Sequence, residues 1–265
     1  MRVLSLGAGV QSTTLAFMIE KGEVEPVDCA IFADTQAEPP EVYEWLEYIK
    51  ASVSYPIHIV TAGNLEKDAV KMKVNKKTGE VYWKNILPTF MQKKGIGGAG
   101  IYPRLCTTDY KIVPIKRKIR ELLGEDWRKR RVTQLIGIST DEASRMKDSR
   151  VKYIINVWPL IDLKMSRADC INWMERNGYP TPPKSACYFC PFHSNVEWSR
   201  LKLEMPILFE KAKHFEERLQ QSAAKCSKTY AVPFLHRSCQ PINQAPLDKG
   251  QLELFDMECE GMCGI

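Results

Sequence analysis

SLGAGVQST (residues 5–13) is the stretch on which the reading of this chain turns. It follows a short apolar run, residues 2–6, and precedes a helical pattern over residues 12–21 in which Leu15, Met18 and Ile19 share a face. A glycine-rich turn from strand into helix aims backbone N–H groups and the positive helix end at one place, which makes an anion cradle. Glycine lets the backbone come close to phosphate oxygens. Ser12 and Thr13 can cap the helix and donate hydroxyls. The pattern is neither the GxxxxGK[ST] loop nor the GxGxxG dinucleotide turn. A plain strand-to-helix turn is the ordinary alternative.

Outward from this loop, short buried strands alternate with helices. VDCAIFA (27–33) reads as a second strand ending at Asp34, residues 40–50 as a helix with Pro40 in its first turn, and IHIVT (57–61) as a third strand. Units of this size imply right-handed crossovers and a parallel sheet. Residues 74–83 read as a polar hairpin turning at Gly79, 95–101 as a glycine loop, 112–123 as an amphipathic helix and 132–138 as a strand. An apolar stretch (151–162) and a helix (167–177) closed by Gly178 follow. Residues 181–193 form a proline-bounded cysteine loop, and 194–222 are helical with a break near Pro206. The expectation is an α/β fold, a doubly wound, mainly parallel Rossmann-like sheet. Residues 1–180 would form a nucleotide-binding domain and 181–265 a helical, cysteine-containing extension. Ligand should bind at the carboxyl ends of the strands, near the switch point.

Composition narrows the function classes. The 265 residues are 44% hydrophobic and 26% charged, a globular balance that excludes a disordered chain. No run approaches the roughly 18 apolar residues of a membrane span, and the start turns polar too soon for a secretory signal. Nine cysteines, an odd number, point to a reducing, cytoplasmic setting in which thiols ligate metal, react or pack. The net charge of +6 is matched by residues 111–131 alone, where nine Lys and Arg face three acidic residues. Such a segment suits a polyanion, nucleic acid or a nucleotide, with a solvated helix face as the alternative. Trp127 within it can stack on a base or anchor the helix.

The loop, in register Gly7-Ala8-Gly9-Val10-Gln11-Ser12, resembles the SGGxDS phosphate loop of the PP-loop ATP pyrophosphatase and adenine-nucleotide α-hydrolase superfamily. Gly7 stands for its first serine and Gln11 for its aspartate. FADTQAEPPEVYEWL (32–46), RLCTTDYKIVPIKR (104–117) and GISTDEASR (137–145) resemble, in order and spacing, segments of the PAPS-reductase branch; Gln36 replaces a glycine. The chain is also similar to cluster-dependent tRNA and DNA thiolation enzymes. The resemblance implies ATP or PAPS with Mg2+. It implies Ser5, Gly7, Gly9, Gln11, Ser12 and Thr13 around phosphate, and Asp34 and Thr35 facing the nucleotide or its metal. Lys111, Glu142 and Arg145 become candidates for contacts to phosphate or adenine.

Cys187-x-x-Cys190 is the sharpest metal signal, since two thiolates three residues apart can grip one ion; a redox dithiol or inert packing are the alternatives. The resemblance implies a [4Fe-4S] cluster on Cys106, Cys187 and Cys190, either with one open iron or with Cys239 or His193 as fourth ligand. Zinc is the alternative metal. The tail, ECEGMCGI (258–265), is loosely similar to a C-terminal tail with a nucleophilic cysteine, which makes Cys259 and Cys263 candidate sulfur carriers; a structural knot with Cys239 is the alternative. Cys29 and Cys170 fall at core positions, and Cys226 reads as an ordinary thiol. The leading functional expectation is an ATP-dependent sulfurtransferase acting on a tRNA base or a DNA backbone, supplied by a cysteine desulfurase or a thioredoxin-type donor. A PAPS or adenylylsulfate reductase and a non-catalytic binding protein are the alternatives.

Overall fold

Successive residues of a strand point to opposite faces, and in β1 (Arg2–Leu6) every residue after Arg2 is buried. A strand of that kind needs cover on both faces, which is the position of a central strand in a parallel sheet. The computed structural model describes residues 1–93, 99–226 and 231–247. The described residues divide into two units, 1–62 with 107–186, and 63–106 with 187–247.

In the first unit β1 leads to α1 (Val10–Glu20), β2 (Cys29–Asp34), α2 (Pro40–Ser52) and β3 (Ile57–Thr61). The chain then builds part of the second unit. There it makes α3 (Leu65–Ala69), β4 (Met72–Val74), β5 (Val81–Trp83), β6 (Phe90–Lys93) and β7 (Ala99–Ile101). A single turn, α4 (Leu105–Thr107), runs into a π-helical turn (Thr108–Ile112) and α5 (Val113–Leu123). Strand β8 (Val132–Ile136), a 3-10 segment (Thr140–Arg145), β9 (Ile154–Val157), α6 (Pro159–Asp162) and α7 (Arg167–Arg176) complete the first unit. The second unit resumes with α8 (Asn195–Glu204), α9 (Pro206–Ala224) and β10 (Ala231–Phe234).

The sheet of the first unit has the order β3-β2-β1-β8-β9 and is parallel throughout. Its strand order reverses at β1, where β8 takes the side opposite β2. Leu4, Leu6, Ala30, Phe32 and Leu135 face one core with Leu15 and Phe17 of α1, Leu46 of α2 and Trp173 of α7. Val3, Ile31, Ala33, Val132 and Ile154 face the other, against Ile115, Ile119 and Leu123 of α5. The expected α/β class is thus observed. Cys29 and Cys170 are core residues, and burial, then the nearby Asp28 charge, pushes the Cys29 thiol up to about 11.

Two expectations are revised. Helix α1 is not one-faced: Val10 through Ile19 are all buried, because the helix lies under other helices as well as on the sheet. The chain also divides otherwise than near residue 180. Residues 63–106 leave the parallel sheet after β3 and belong with the second unit. Their strands are three or four residues long, too short for periodicity to mark a separate unit.

In the second unit the hairpin pairs Met72 with Trp83 and Val74 with Val81, and Gly79 supplies the left-handed turn (φ 70°). A separate antiparallel sheet has the order β10-β6-β7. Pro206 opens α9, so the long helical pattern breaks where proline cannot continue it. Buried Glu216 of α9 accepts N–H bonds from Leu235 (2.8 Å) and Ile242 (2.7 Å), tying both ends of that segment to the helix. Among the described residues no helix is long and apolar enough to cross a membrane.

Burial raises the Glu216 carboxyl above its ordinary value, more than the two N–H donors lower it. A raised carboxyl takes up its proton on folding, so its favourable contribution to stability is full below the unfolded value and falls as pH rises through the folded one. Urea midpoints measured from pH 4 to 8 should therefore fall less steeply with rising pH in Glu216→Gln than in the parent, whatever the offset between the two.

Candidate functional site

Three neighbouring strands of the first unit, β2, β1 and β8, end side by side at the carboxyl edge of the sheet. After β1 the backbone turns through Ala8, whose φ of 59° is left-handed although the residue is not glycine. Gly9 then caps α1 in an extended conformation. A left-handed residue before a helix start turns consecutive N–H groups toward one side, the arrangement that binds anions. The loop is held from within and without. Gly7 N–H donates to Ser12 Oγ (3.1 Å), and the Ser185 hydroxyl donates to the Gly7 carbonyl. Thr13 Oγ1 accepts from the Trp45 indole N–H (3.2 Å). Ser5, Gln11, Ser12 and Thr13 are all buried.

The segment after β8 closes on this turn. A Cβ at Gly137 would stand 2.7 Å from Ser12 N and 2.8 Å from Ser12 Cα, so no side chain fits there. That approach sets Ser139 and Glu142 beside Gln11. The Gln11 amide Nε2 donates to Ser139 Oγ (3.3 Å) and Glu142 Oε2 (3.2 Å). Glu142 in turn pairs with Arg145. Gln11 Oε1 is buried with no hydrogen-bond partner. Gln11, Glu142 and Arg145, named separately from the sequence, thus form one chain of contacts.

At the end of β2, Asp34 Oδ1 accepts from Gln36 N–H (2.7 Å) and from the Tyr43 hydroxyl (2.9 Å). Burial, and then the Asp34 charge, raises Tyr43, so the hydroxyl stays a donor. Thr35 is buried. Lys111, on the π-helical turn, lies 3.6 Å from Glu38 Oε1, and both side chains are buried. A π-turn inside a helix is uncommon and often marks a functional position. Sequence reasoning missed Glu38, Gly137, Ser139 and Ser185. Each acts through a partner distant in the chain, Ser185 across 178 residues, and one sequence carries no signal of such a pairing.

The candidate-site cysteines among the described residues, Cys106, Cys187, Cys190 and Cys239, lie in the second unit. Cys187 and Cys190 bracket a tight turn closed by Cys190 N–H to the Cys187 carbonyl (2.8 Å), and His193 N–H donates to the Cys190 carbonyl (3.1 Å). His193 Nε2 lies 3.0 Å from the Cys187 carbonyl, so that nitrogen carries the hydrogen and is not a metal ligand. Cys106 donates its own N–H to the Ile86 carbonyl (2.8 Å). Cys239 has a left-handed backbone (φ 53°), and burial raises its thiol. Among the described residues no three His, Cys, Asp or Glu side chains are grouped so that they could hold a metal ion. The [4Fe-4S] or zinc set of Cys106, Cys187 and Cys190 with Cys239 or His193 is thus not shown here, and the second ring nitrogen of His193, Nδ1, is buried with no hydrogen-bond partner. Cys259 and Cys263 lie outside the described residues. Protein-only Mg2+ ligation is likewise absent among the described residues; such an ion is commonly carried on substrate phosphates with one or two carboxylates.

No family model and no curated protein matches this sequence. Among solved structures, a phosphoadenylyl-sulfate (PAPS) reductase from Candida auris in a phosphate complex is similar over 68% of this chain and 74% of its own, with 19% identity and a TM-score of 0.44. The α/β assignment rests on the strand order and register described above.

Two substitutions test the contacts around the loop. Gly137→Ala forces backbone apart and should destabilise the chain by about 1–3 kcal/mol in urea unfolding. Gln11→Glu sets a buried carboxylate against the partly buried Glu142 and should cost about 3 kcal/mol at pH 8. The loss should shrink toward pH 5, where one of the two carboxyls takes a proton.

Proposed function

We propose that the chain is an ATP-dependent sulfurtransferase of the PP-loop kind that acts on nucleic acid. The observation that carries this reading is the left-handed turn at Ala8 feeding α1 at the carboxyl edge of a doubly wound sheet, beside the point where strand order reverses. In that place ATP would set its phosphates on the N–H groups of the loop. Arg145, held by Glu142, would supply positive charge to the phosphates, and Lys111, held by Glu38, a second cation. Because Gln11 gives both amide hydrogens to Ser139 and Glu142, its part is to fix Glu142 and through it Arg145.

The chemistry follows from what a phosphate cradle can do. An oxygen of the acceptor attacks the α-phosphorus, the bond to the β-phosphate oxygen breaks, and pyrophosphate leaves. Charge grows on the leaving oxygens, where preorganised N–H groups and a guanidinium stabilise it most. The acceptor oxygen is now part of a good leaving group, AMP. A cysteine persulfide, loaded by a cysteine desulfurase, attacks the activated atom with its outer sulfur and AMP departs. A second thiol, of this chain or of a thioredoxin-type donor, then breaks the persulfide S–S bond and forms a disulfide, leaving the sulfur on the acceptor. Cys259 and Cys263 are the proposed carriers.

The test uses full-length protein with ATP, tRNA or DNA, and a persulfide donor. Pyrophosphate release should require the nucleic acid and fall about 100-fold or more in Arg145→Ala. Sulfite release from PAPS without pyrophosphate from ATP would replace this reading by the reductase one. Tight binding of ATP with no turnover would replace it by a binding protein.

A further inference from the structure

We propose that the exposed arginines of residues 117–131 form a surface that grips the sugar–phosphate backbone of a nucleic-acid chain at the end of the first unit opposite the phosphate loop. This surface deepens the sulfurtransferase reading and rests on it for its purpose, since it would hold the acceptor.

The first observation is an imbalance of partners. Two of the segment's three carboxylates are taken by lysines: Lys118 pairs with Glu121 (2.6 Å) and Lys129 with Asp126 (3.0 Å). Arg117, Arg120, Arg128, Arg130 and Arg131 are exposed, and none has a carboxylate within ion-pair distance among the described residues. Elsewhere arginines do have such partners, as Arg2 with Glu25, Arg200 with Glu197 and Arg218 with Glu66.

The second observation is geometric. The Trp127 ring carries the Arg128 guanidinium 4.5 Å from its centroid and that of Arg120 at 5.6 Å, and it packs edge-on against Tyr153 at 5.0 Å. Arg120 Nε also donates to the Lys116 carbonyl (3.4 Å). Stacking fixes a guanidinium through its face and leaves its N–H edge outward, in the fork that matches a phosphate. Two cations are therefore held in place without being neutralised, which lowers the ordering cost of binding an anion. Trp127 is engaged by arginines and is not offered to a base, so contacts here follow backbone charge and not sequence.

The third observation selects a polymer. Helix α5 delivers the chain to the start of β8, and β8 runs parallel to β1. Arg128, Arg130 and Arg131 therefore sit at the amino edge of the sheet, and the loop after β1 at the carboxyl edge. Five residues of strand separate them, about 16 Å at the rise of a strand. A mononucleotide on the loop cannot span that distance, whereas an oligonucleotide can. A bilayer is a poorer match, because among the described residues no large hydrophobic side chain of 117–131 is exposed.

The experiment measures fluorescence anisotropy of labelled 20-nucleotide RNA and DNA with the full-length protein between 50 and 200 mM KCl. Log affinity should fall with log salt at a slope of about −3 or steeper. Arg128→Gln, Arg130→Gln and Arg131→Gln combined should flatten the slope by about 2 and weaken binding at least tenfold at 100 mM, at an unchanged melting temperature. Lys77→Gln, on the hairpin, should leave both unchanged. ATP affinity by calorimetry should not differ between the parent and the triple variant. Oligonucleotide binding that is salt-independent, or equal in the triple variant, overturns the surface, as does binding to phosphatidylserine vesicles or an acidic peptide without binding to the oligonucleotide. A protein that binds oligonucleotide as described but releases no pyrophosphate keeps the surface and loses the sulfurtransferase reading. The reverse pattern keeps the reading and loses the surface.

Discussion

Where the chain leaves β8, Gly137 stands so close to the first turn of α1 that a single methyl group would meet Ser12 N at 2.7 Å. The contacts of the candidate site follow from that approach. Strand β8 must pair with β1 in the register that sets Ser5 opposite Ile136, since a slip would drive a side chain into the helix start. With the register fixed, Ser139 and Glu142 arrive beside Gln11, and Glu142 brings Arg145 with it. A glycine chosen for closeness, not for turning, thus joins two segments more than 120 residues apart.

The strands of the first unit were legible because burial on both faces leaves continuous apolar runs that glycine, proline and aspartate punctuate. Ile57–Thr61 is found as expected, and β2 ends at Asp34 as read. Helix α1 begins two residues earlier than its periodicity suggests, because Gly9 rather than Ser12 takes the cap. Gln11 and Ser12 then enter the helix, and Ser12 turns its hydroxyl back on the loop at Gly7. What stayed hidden was of two kinds. The hairpin of β4 and β5 is found where the sequence places it, but β6 and β7 are only four and three residues long, too brief to weigh against loop, and β7 falls at the end of the stretch read as a glycine loop. Ser185, Ser139 and Glu38 are ordinary residues in ordinary contexts, and only the folded chain gives them partners.

Spacing along the chain and grouping in space diverge most at the cysteines. Two cysteines three apart are what a metal knuckle needs, but they are also what a tight turn produces. In Cys187–Cys190 the backbone closes on itself, and His193 spends a ring N–H on the Cys187 carbonyl. These hydrogen bonds fix the backbone of the turn and one ring nitrogen of His193, and leave its Nδ1 buried with no hydrogen-bond partner. The proline-bounded loop also suits a turn that packs Tyr188 and Phe189 inward.

Glutamine at position 11, where a carboxylate would be the charged alternative, has a physical reason in this fold. Two acceptors, Ser139 Oγ and a Glu142 oxygen, converge on one end of the Gln11 side chain. An aspartate there would face the Glu142 carboxylate in a buried setting, and like charges at that range disfavour each other's ionised form. An amide turned the other way would do almost as badly, because its oxygen would meet the same carboxylate; the acceptors thus dictate which atom is nitrogen. Its oxygen is left buried and without a donor. Phosphate oxygens only accept, so that atom does not contact phosphate, and any ligand group meeting it must carry an N–H or O–H. Phosphate binding in the proposed mechanism accordingly falls to the loop backbone, Arg145 and Lys111, and the carboxylate of this network is Glu142, delivered from the far side of the sheet's reversal point by the glycine that lets β8 come close.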